Sequence, residues 1–327
     1  MSNLKEIRAR INSVASTEKI TNAMKMVSAA KLKKSENTTL RFLPYKNKLN
    51  ETLTNYLCSF EETVRIPLAE QREPKRVALL AFSSSSGLCG VYNANVSKLF
   101  LSTYNEYVEK LGAENVEVHL FGKKITEFAQ KNGITVTATY KSVSDELSYA
   151  LATELSNRMV QAFIEHRIDR VVAVYNHHKN AGVQQPMTET LLPIGHPYGM
   201  QTVMGYSTDR ASLREAPDAS RRDALSVATG SQNPAASRRD ALDYLVEPSK
   251  EEFINELIPK VIRTAFYSVM LDAMTAEHGA RMTAMLIASD NAAALLQELR
   301  RDYNRARQNV ITTELIDIVG GAEALNK

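Results

Sequence analysis

The clearest pattern of apolar and polar positions lies in the last third of the chain. Met282, Met285, Ser289, Ala292, Leu296, Leu299, Tyr303, Ala306, Val310 and Thr313 recur at alternating steps of three and four, which is a heptad seam held over several repeats. Upstream, Pro248-Ser249-Lys250-Glu251-Glu252 has the pattern of a capping box, with Ser249 as N-cap and Glu252 three residues on. Beyond Pro259 only Gly279 interrupts the run before Gly320-Gly321. About sixty residues at ~1.5 Å each make a helix of roughly 90 Å. No compact domain of this mass is that wide, so the helix needs a partner of similar length.

The other end of the chain offers one. Leu4, Ile7, Ile11 and Val14, then Ile20, Met24 and Val27, form an apolar stripe with a slip near Glu18. The helical pattern runs to about Cys58, with a bend expected at Pro44. Both seams hold small residues (Ala15, Ala23, Ala29 and Ala30 against Ser289, Ala292 and Ala306), which lets two helices approach closely. Two ends of one chain that meet in this way predict an antiparallel coiled coil. Its longer C-terminal member must find part of its packing in another protein.

Between the ends the period changes. Arg76 to Phe82 reads as a buried strand followed by a Ser/Gly turn, Val96 to Leu111 as a helix, and Val116 to Phe121 and Ile134 to Tyr140 as strands. Ser144 to His166 reads as a helix, Val171 to Tyr175 as a further buried strand, and Val183 to Ile194 as edge strands. Strands alternating with helices predict a mainly parallel, Rossmann-like sheet. The fold class is thus an α/β domain plus a long α-helical coiled coil. Between Ser207 and Leu242 only Leu213, Leu225, Val227 and Leu242 are large and apolar, and Ala219-Ser-Arg-Arg-Asp-Ala-Leu225 returns as Ala236 to Leu242. That composition predicts a surface insertion without a core of its own. The expected divisions are 1–58, 75–204, 205–242 and 243–327.

Charge adds a partner question. Residues 1–50 hold eleven Lys/Arg against three Glu, a balance of +8, whereas residues 247–327 hold nine Lys/Arg against twelve Asp/Glu, a balance of −3. A basic first helix suits nucleic acid, an anionic membrane or an acidic protein partner. Without aromatic residues or a groove-reading motif beside it, nucleic acid is the weakest of the three. Two cysteines, Cys58 and Cys89, make no disulfide framework and point to a reducing compartment. Apolar runs such as Val77 to Phe82 are too short to span a bilayer, and the first residues lack a signal-peptide core. Membrane association is therefore expected to be peripheral.

Catalytic chemistry finds little support. Ser83-Ser84-Ser85-Ser86-Gly87-Leu88-Cys89-Gly90 lies between strand and helix as a phosphate loop does. It lacks the Lys-Ser/Thr of a P-loop and the third glycine of a dinucleotide fingerprint, so a packing turn is the better reading. His177-His178 has no second ligand pair and reads as a polar hairpin after a strand. Neither a metal, a cofactor nor a catalytic residue is expected. Met24, Met26, Met282 and Met285 read as core, or as adaptable side chains where a helix must pass repacking partners.

Leu4-Lys-Glu-Ile-Arg-Ala-Arg-Ile11, Thr17-Glu-Lys-Ile-Thr-Asn-Ala-Met-Lys-Met-Val-Ser-Ala-Ala-Lys31 and Ile311-Thr-Thr-Glu-Leu-Ile-Asp-Ile-Val-Gly-Gly-Ala-Glu-Ala-Leu325 resemble the gamma subunits of F-type ATP synthases. So do Ala288-Ser-Asp-Asn-Ala-Ala and Tyr303-Asn-Arg-Ala-Arg-Gln308. The resemblance covers the chain except roughly 205–242. It implies a non-catalytic rotor that stands inside a ring of alpha and beta subunits, with its α/β domain beside epsilon and the membrane c-ring, and delta reached only indirectly. It further implies beta-subunit contacts at Met24, Lys25, Arg281, Gln308, Thr312 and Glu314, and a foot at Tyr244 and Glu247 that faces the c-ring and epsilon. The implied location is peripheral, on the cytoplasmic face of the plasma (inner) membrane of a bacterium. An acidic segment of beta would then answer the +8 of the first helix. Two departures stand out: serines replace the charged pair of the family's Asp-Arg-Gly-Leu-Cys-Gly-Gly loop, with Val91 at its last glycine, and the insertion has no cysteine. A stalk subunit of another rotary ATPase would share the coiled coil and lack the α/β domain.

Overall fold

The computed structural model describes residues 2–58, 67–194 and 250–325. Its frame is two helices, α1 (Ser2–Cys58) and α6 (Lys250–Leu325). Between them lie β1 (Val77–Phe82), α2 (Tyr92–Leu111), β2 (Val116–Phe121), α3 (Lys123–Lys131) and β3 (Ala138–Tyr140). Then follow α4 (Val143–Glu146), α5 (Tyr149–Ile164), β4 (Arg170–Asn180) and β5 (Val183–Leu192). The sheet order is β3-β2-β1-β4-β5, parallel throughout except for the β4–β5 hairpin.

At 76 residues α6 runs roughly 110 Å. It exceeds the expected length because it is continuous through Pro259 and through Gly320-Gly321. The heptad seam is where the pattern put it: Met285, Ser289, Ala292, Leu296 and Leu299 are buried, and Met282, Tyr303, Ala306 and Val310 half-buried. Thr313 is exposed, so the seam ends before it.

On α1 the stripe differs from its expected course after Val14. Ile20 and Val27 face solvent, at 60% and 57% exposure. The sheltered positions continue in unbroken heptad steps through Glu18, Thr21, Lys25, Ser28, Leu32, Ser35, Thr39, Phe42, Lys46, Leu49 and Leu53. The seam does not slip; its hydrophobicity does, because much of that stretch is small or polar. Phe42 meets Tyr267 edge-on with centroids 4.9 Å apart and Lys46 Nζ donates to Ser268 Oγ at 2.8 Å, whereas Met24 and Lys31, earlier on α1, line one cleft with His278 and Arg281, later on α6; the two helices are therefore antiparallel. Pro44 is accommodated within a continuous α1.

Several boundaries in the middle shift for local reasons. Helix α3, which the pattern left unassigned, fills the space before β3 and ends at Asn132-Gly133. It leaves Ile134 buried outside any strand, so β3 has only three residues. Gly122, which opens α3 at φ 100°, admits no side chain, since a Cβ there would collide with the Ser83 carbonyl. The expected helix 144–166 is two, because Ser148 stops the first and caps the second by accepting from Leu151 N–H at 3.1 Å. Helix α2 begins at Tyr92, and β4 runs past Tyr175 to Asn180. Residues 205–242, Ser249, Tyr244 and Glu247 lie outside the described residues.

Two cores share the sheet. On one face Val96, Phe100, Ile125 and Ala129 of α2 and α3 pack on Leu79, Val118 and Leu120. On the other, Leu155, Met159 and Phe163 of α5 join Leu257, Val261, Phe266 and Val269 of α6 over Leu80, Phe82 and Phe121. The shaft helix is therefore itself a layer of the α/β core.

Candidate functional site

In a sheet of this order the chain reverses direction between β1 and β4, and open α/β folds bind ligands in the crevice beyond the strand ends at that point. Here that crevice is filled. Ala276 and Ala280 of α6 bury against Cys89 and Tyr92 of the β1–α2 turn. Tyr92 Oη donates to the Ala273 carbonyl at 3.1 Å, and Asn176 Nδ2 to the Tyr92 carbonyl at 3.0 Å. Burial, then the neighbouring Glu277 charge, pushes the Tyr92 phenol well up, so it stays a donor.

Several polar groups of the turn are engaged within the fold. Ser83 N–H donates to the Phe121 carbonyl at 2.8 Å, and Ser84 N–H to Asn93 Oδ1 at 3.2 Å. Asn93 Nδ2 reaches Cys89 Sγ at 3.1 Å. Those two backbone donors are thus committed within the fold. Leu88 projects at 61% exposure from a left-handed position, φ 63°.

Beside the turn lies a cleft of about 310 Å³ between α1, the turn, α4 and α6, lined among others by Met24, Val27, Ser28, Lys31, Asp145 and Arg281. Arg281 Nη2 holds Glu277 Oε1 at 2.8 Å, one helical turn back, and donates to Ser86 Oγ at 3.1 Å. Ser142 Oγ donates to Glu277 Oε2 at 3.3 Å, and Ser85 Oγ to Asp145 Oδ2 at 2.6 Å. His278, also on the cleft, is buried with Nδ1 unpartnered. Burial first, then the Arg281 and Lys31 charges, pushes its imidazole down to about 4. The cleft thus brings together a charged pair, hydroxyls and a methionine. No group of acidic, His or Cys side chains among the described residues could hold a metal.

The comparisons with known proteins decide the family. The ATP synthase family profile matches residues 3–325. The ATP synthase gamma chain of Bacteroides fragilis is 42% identical over 324 residues, which cover 99% of this chain and 100% of that one. That of Cytophaga hutchinsonii is 38% identical over 327 residues, the whole of both. The chain belongs to the ATP synthase gamma chain family. It is accordingly a non-catalytic subunit of the membrane-bound ATP synthase. The fold agrees: a chain of the Euglena gracilis mitochondrial ATP synthase matches 99% of this chain and 95% of its own length, at a TM-score of 0.59 and 18% identity. A chain from the central stalk and c-ring of the Tetrahymena thermophila enzyme covers 83% of this one and is itself 99% covered, at a TM-score of 0.52 and 19% identity. No described helix is long and apolar enough to cross a membrane.

Against this gamma-chain frame, the residues implied by resemblance fall in two tiers. Met24 and Arg281 meet at the cleft, with Lys25 half-buried next to Met24. Gln308, Thr312 and Glu314 are exposed on α6, roughly 40 Å further along the axis from Arg281. Sequence reasoning missed Glu277, His278 and Asp145. Glu277 had a local signal, a carboxylate four residues before an arginine; Asp145 had none, being brought to Ser85 only by the fold.

Proposed function

We propose that this gamma chain is the rotor shaft of its complex, turning inside a ring of alpha and beta subunits and carrying rotation between that ring and a proton-driven c-ring. The observation that carries the reading is the far end of α6. Ile311, Leu315, Ile316, Ile318 and Val319 all face solvent there, beyond the reach of α1. A run of exposed apolar residues on one helix marks an interaction surface, and a surrounding ring covers every side of it.

In this reading Met24, Lys25 and Arg281 meet beta at the lower tier, and Gln308, Thr312 and Glu314 at the upper one. Tyr244 and Glu247 form the foot toward the c-ring and epsilon, and delta is reached only indirectly. Residues 1–58 and 243–327 are the shaft, 75–204 the α/β domain, and 205–242 an insertion outside both. The chain is peripheral, held to the cytoplasmic face of the plasma (inner) membrane through the c-ring, and it needs no cofactor and no nucleic acid. The test is reconstitution. The purified chain is expected to show no ATP hydrolysis, and its addition to alpha and beta subunits to yield a cooperative ATPase. Turnover by the chain alone, or failure to join the alpha–beta ring, overturns the reading.

A further inference from the structure

The β4–β5 hairpin reaches past the sheet and rests on both shaft helices. One carboxylate on α6 does most of the holding. Asp272 Oδ2 lies 2.5 Å from His177 Nδ1, while its Oδ1 accepts from the His178 backbone N–H at 2.9 Å. The neighbouring ring turns the other way: His178 Nε2 lies 3.6 Å from Glu36 Oε1 on α1. His178 Nδ1 is buried without a partner, and a methyl built on Gly279 would stand 3.4 Å from it. A side chain there would press on the ring and on Gln184 Nε2, so the glycine favours this close approach. One more bond closes the tip, Thr283 Oγ1 donating to the Ala181 carbonyl at 2.8 Å.

We propose that Asp272, His177, His178 and Glu36 form a proton-operated latch that fixes the hairpin to the shaft near neutral pH and loosens it on either side. Two adjacent histidines, one facing a carboxylate of each shaft helix, are the geometry such a latch requires. The other titratable groups facing them are Lys46 on α1, Glu189 on β5 and Tyr175 on β4. Tyr175 Oη donates to Glu189 Oε2 at 2.7 Å. Burial pushes the Glu189 carboxyl up and the Lys46 ammonium down, while each partly offsets the other.

The two rings respond to protons in opposite senses. The hydrogen bond to Asp272 raises His177 above its ordinary 6.5. Its contribution is therefore complete below 6.5 and lost as pH rises through the raised value. Burial lowers His178 below 6.5 despite Asp272 and Glu36 nearby. Its contribution is complete above 6.5 and lost as pH falls through the lowered value. The latch is tightest where His177 is charged and His178 neutral.

Hydrogen exchange of the full chain across pH 5 to 8.5, corrected for intrinsic rates, reads this directly. Protection of the amides at 179–185 is expected to peak near pH 6.5, to fall about fivefold on the alkaline side, the size of one partly exposed ion pair, and to fall on the acid side as the buried His178 ring takes up a charge. Asp272→Asn keeps an acceptor for the His178 N–H but removes the charge, and should abolish the alkaline limb alone. His178→Gln should abolish the acid limb alone. Protection in β1 serves as the check on folding; where Asp272→Asn lowers it, His177→Gln replaces that variant for the alkaline limb. A flat profile in the native chain, or both limbs surviving in these variants, overturns the proposal.

Discussion

Arg281→Ala separates what the Glu277–Arg281 pair does for the fold from what Arg281 does for a partner. The two charges are 2.8 Å apart, with side chains only 4% and 12% exposed. At an effective dielectric of about 20 the direct attraction is about 6 kcal/mol, most of it offset by taking both groups out of water. Removing the arginine alone leaves Glu277 buried with Ser142 as its remaining hydrogen-bond donor. A stranded buried charge costs about 3 kcal/mol or more. Arg281→Ala should therefore lower the stability of the full chain in urea by about that much. Glu277→Gln together with Arg281→Met, which leaves no charge stranded, should recover most of the loss. The double variant still lacks the guanidinium that the proposed function directs to beta, so its complex should assemble yet hydrolyse ATP more slowly. If Arg281→Ala matches the native chain within about 0.5 kcal/mol, the pair contributes nothing net. If the double variant also restores full ATPase activity, Arg281 has no role toward a partner.

Three further outcomes are expected. Leu296→Asp puts an unpaired charge at a buried seam position and should cost several kcal/mol, seen as a loss of helical circular dichroism that precedes melting of the sheet. His278 is held down to about 4, so the unfolded chain binds more protons between that value and 6.5; stability should drop by up to about 3 kcal/mol over this fall in pH, and the drop should shrink in His278→Gln. Met24→Lys adds a charge to the cleft wall, deepening one rotor position over the others; complexes should assemble normally, with a lower ratio of proton pumping to ATP hydrolysis in membrane vesicles, and an unchanged ratio would reduce Met24 to packing.

The α6 seam was legible because its burial follows large side chains: Leu296 and Leu299 sit where a heptad puts them. The middle of α1 was not. Between Val14 and Leu32 the heptad positions are Glu18, Thr21, Lys25 and Ser28; of the expected stripe Met24 is half-buried, while Ile20 and Val27 point away, so hydrophobicity traced the contact face only in part. Tertiary contact, not side-chain polarity, decided which residues met α6. Helix α3 carries a period, with Ile125 and Ala129 four apart and both buried, but its nine residues are fewer than the window over which a helical period is ordinarily read. Of the candidate site, Met24 and Arg281 came through family motifs and Glu277 lay one helical turn from Arg281. The Asp272 contact with His177 joins residues on different elements, and no local pattern announces it.

The filled crevice bears on how force crosses the molecule. Where related folds keep a removable ligand, this one keeps a stretch of its own longest helix, pressed in through Ala276 and Ala280. A twisting load applied to the domain therefore meets α6 as side-on pressure along a buried contact in which the helix presents small, stiff side chains to Cys89 and Tyr92. Alanine has no rotamers to yield, so little of the motion is absorbed locally, and the two parts turn through the same angle.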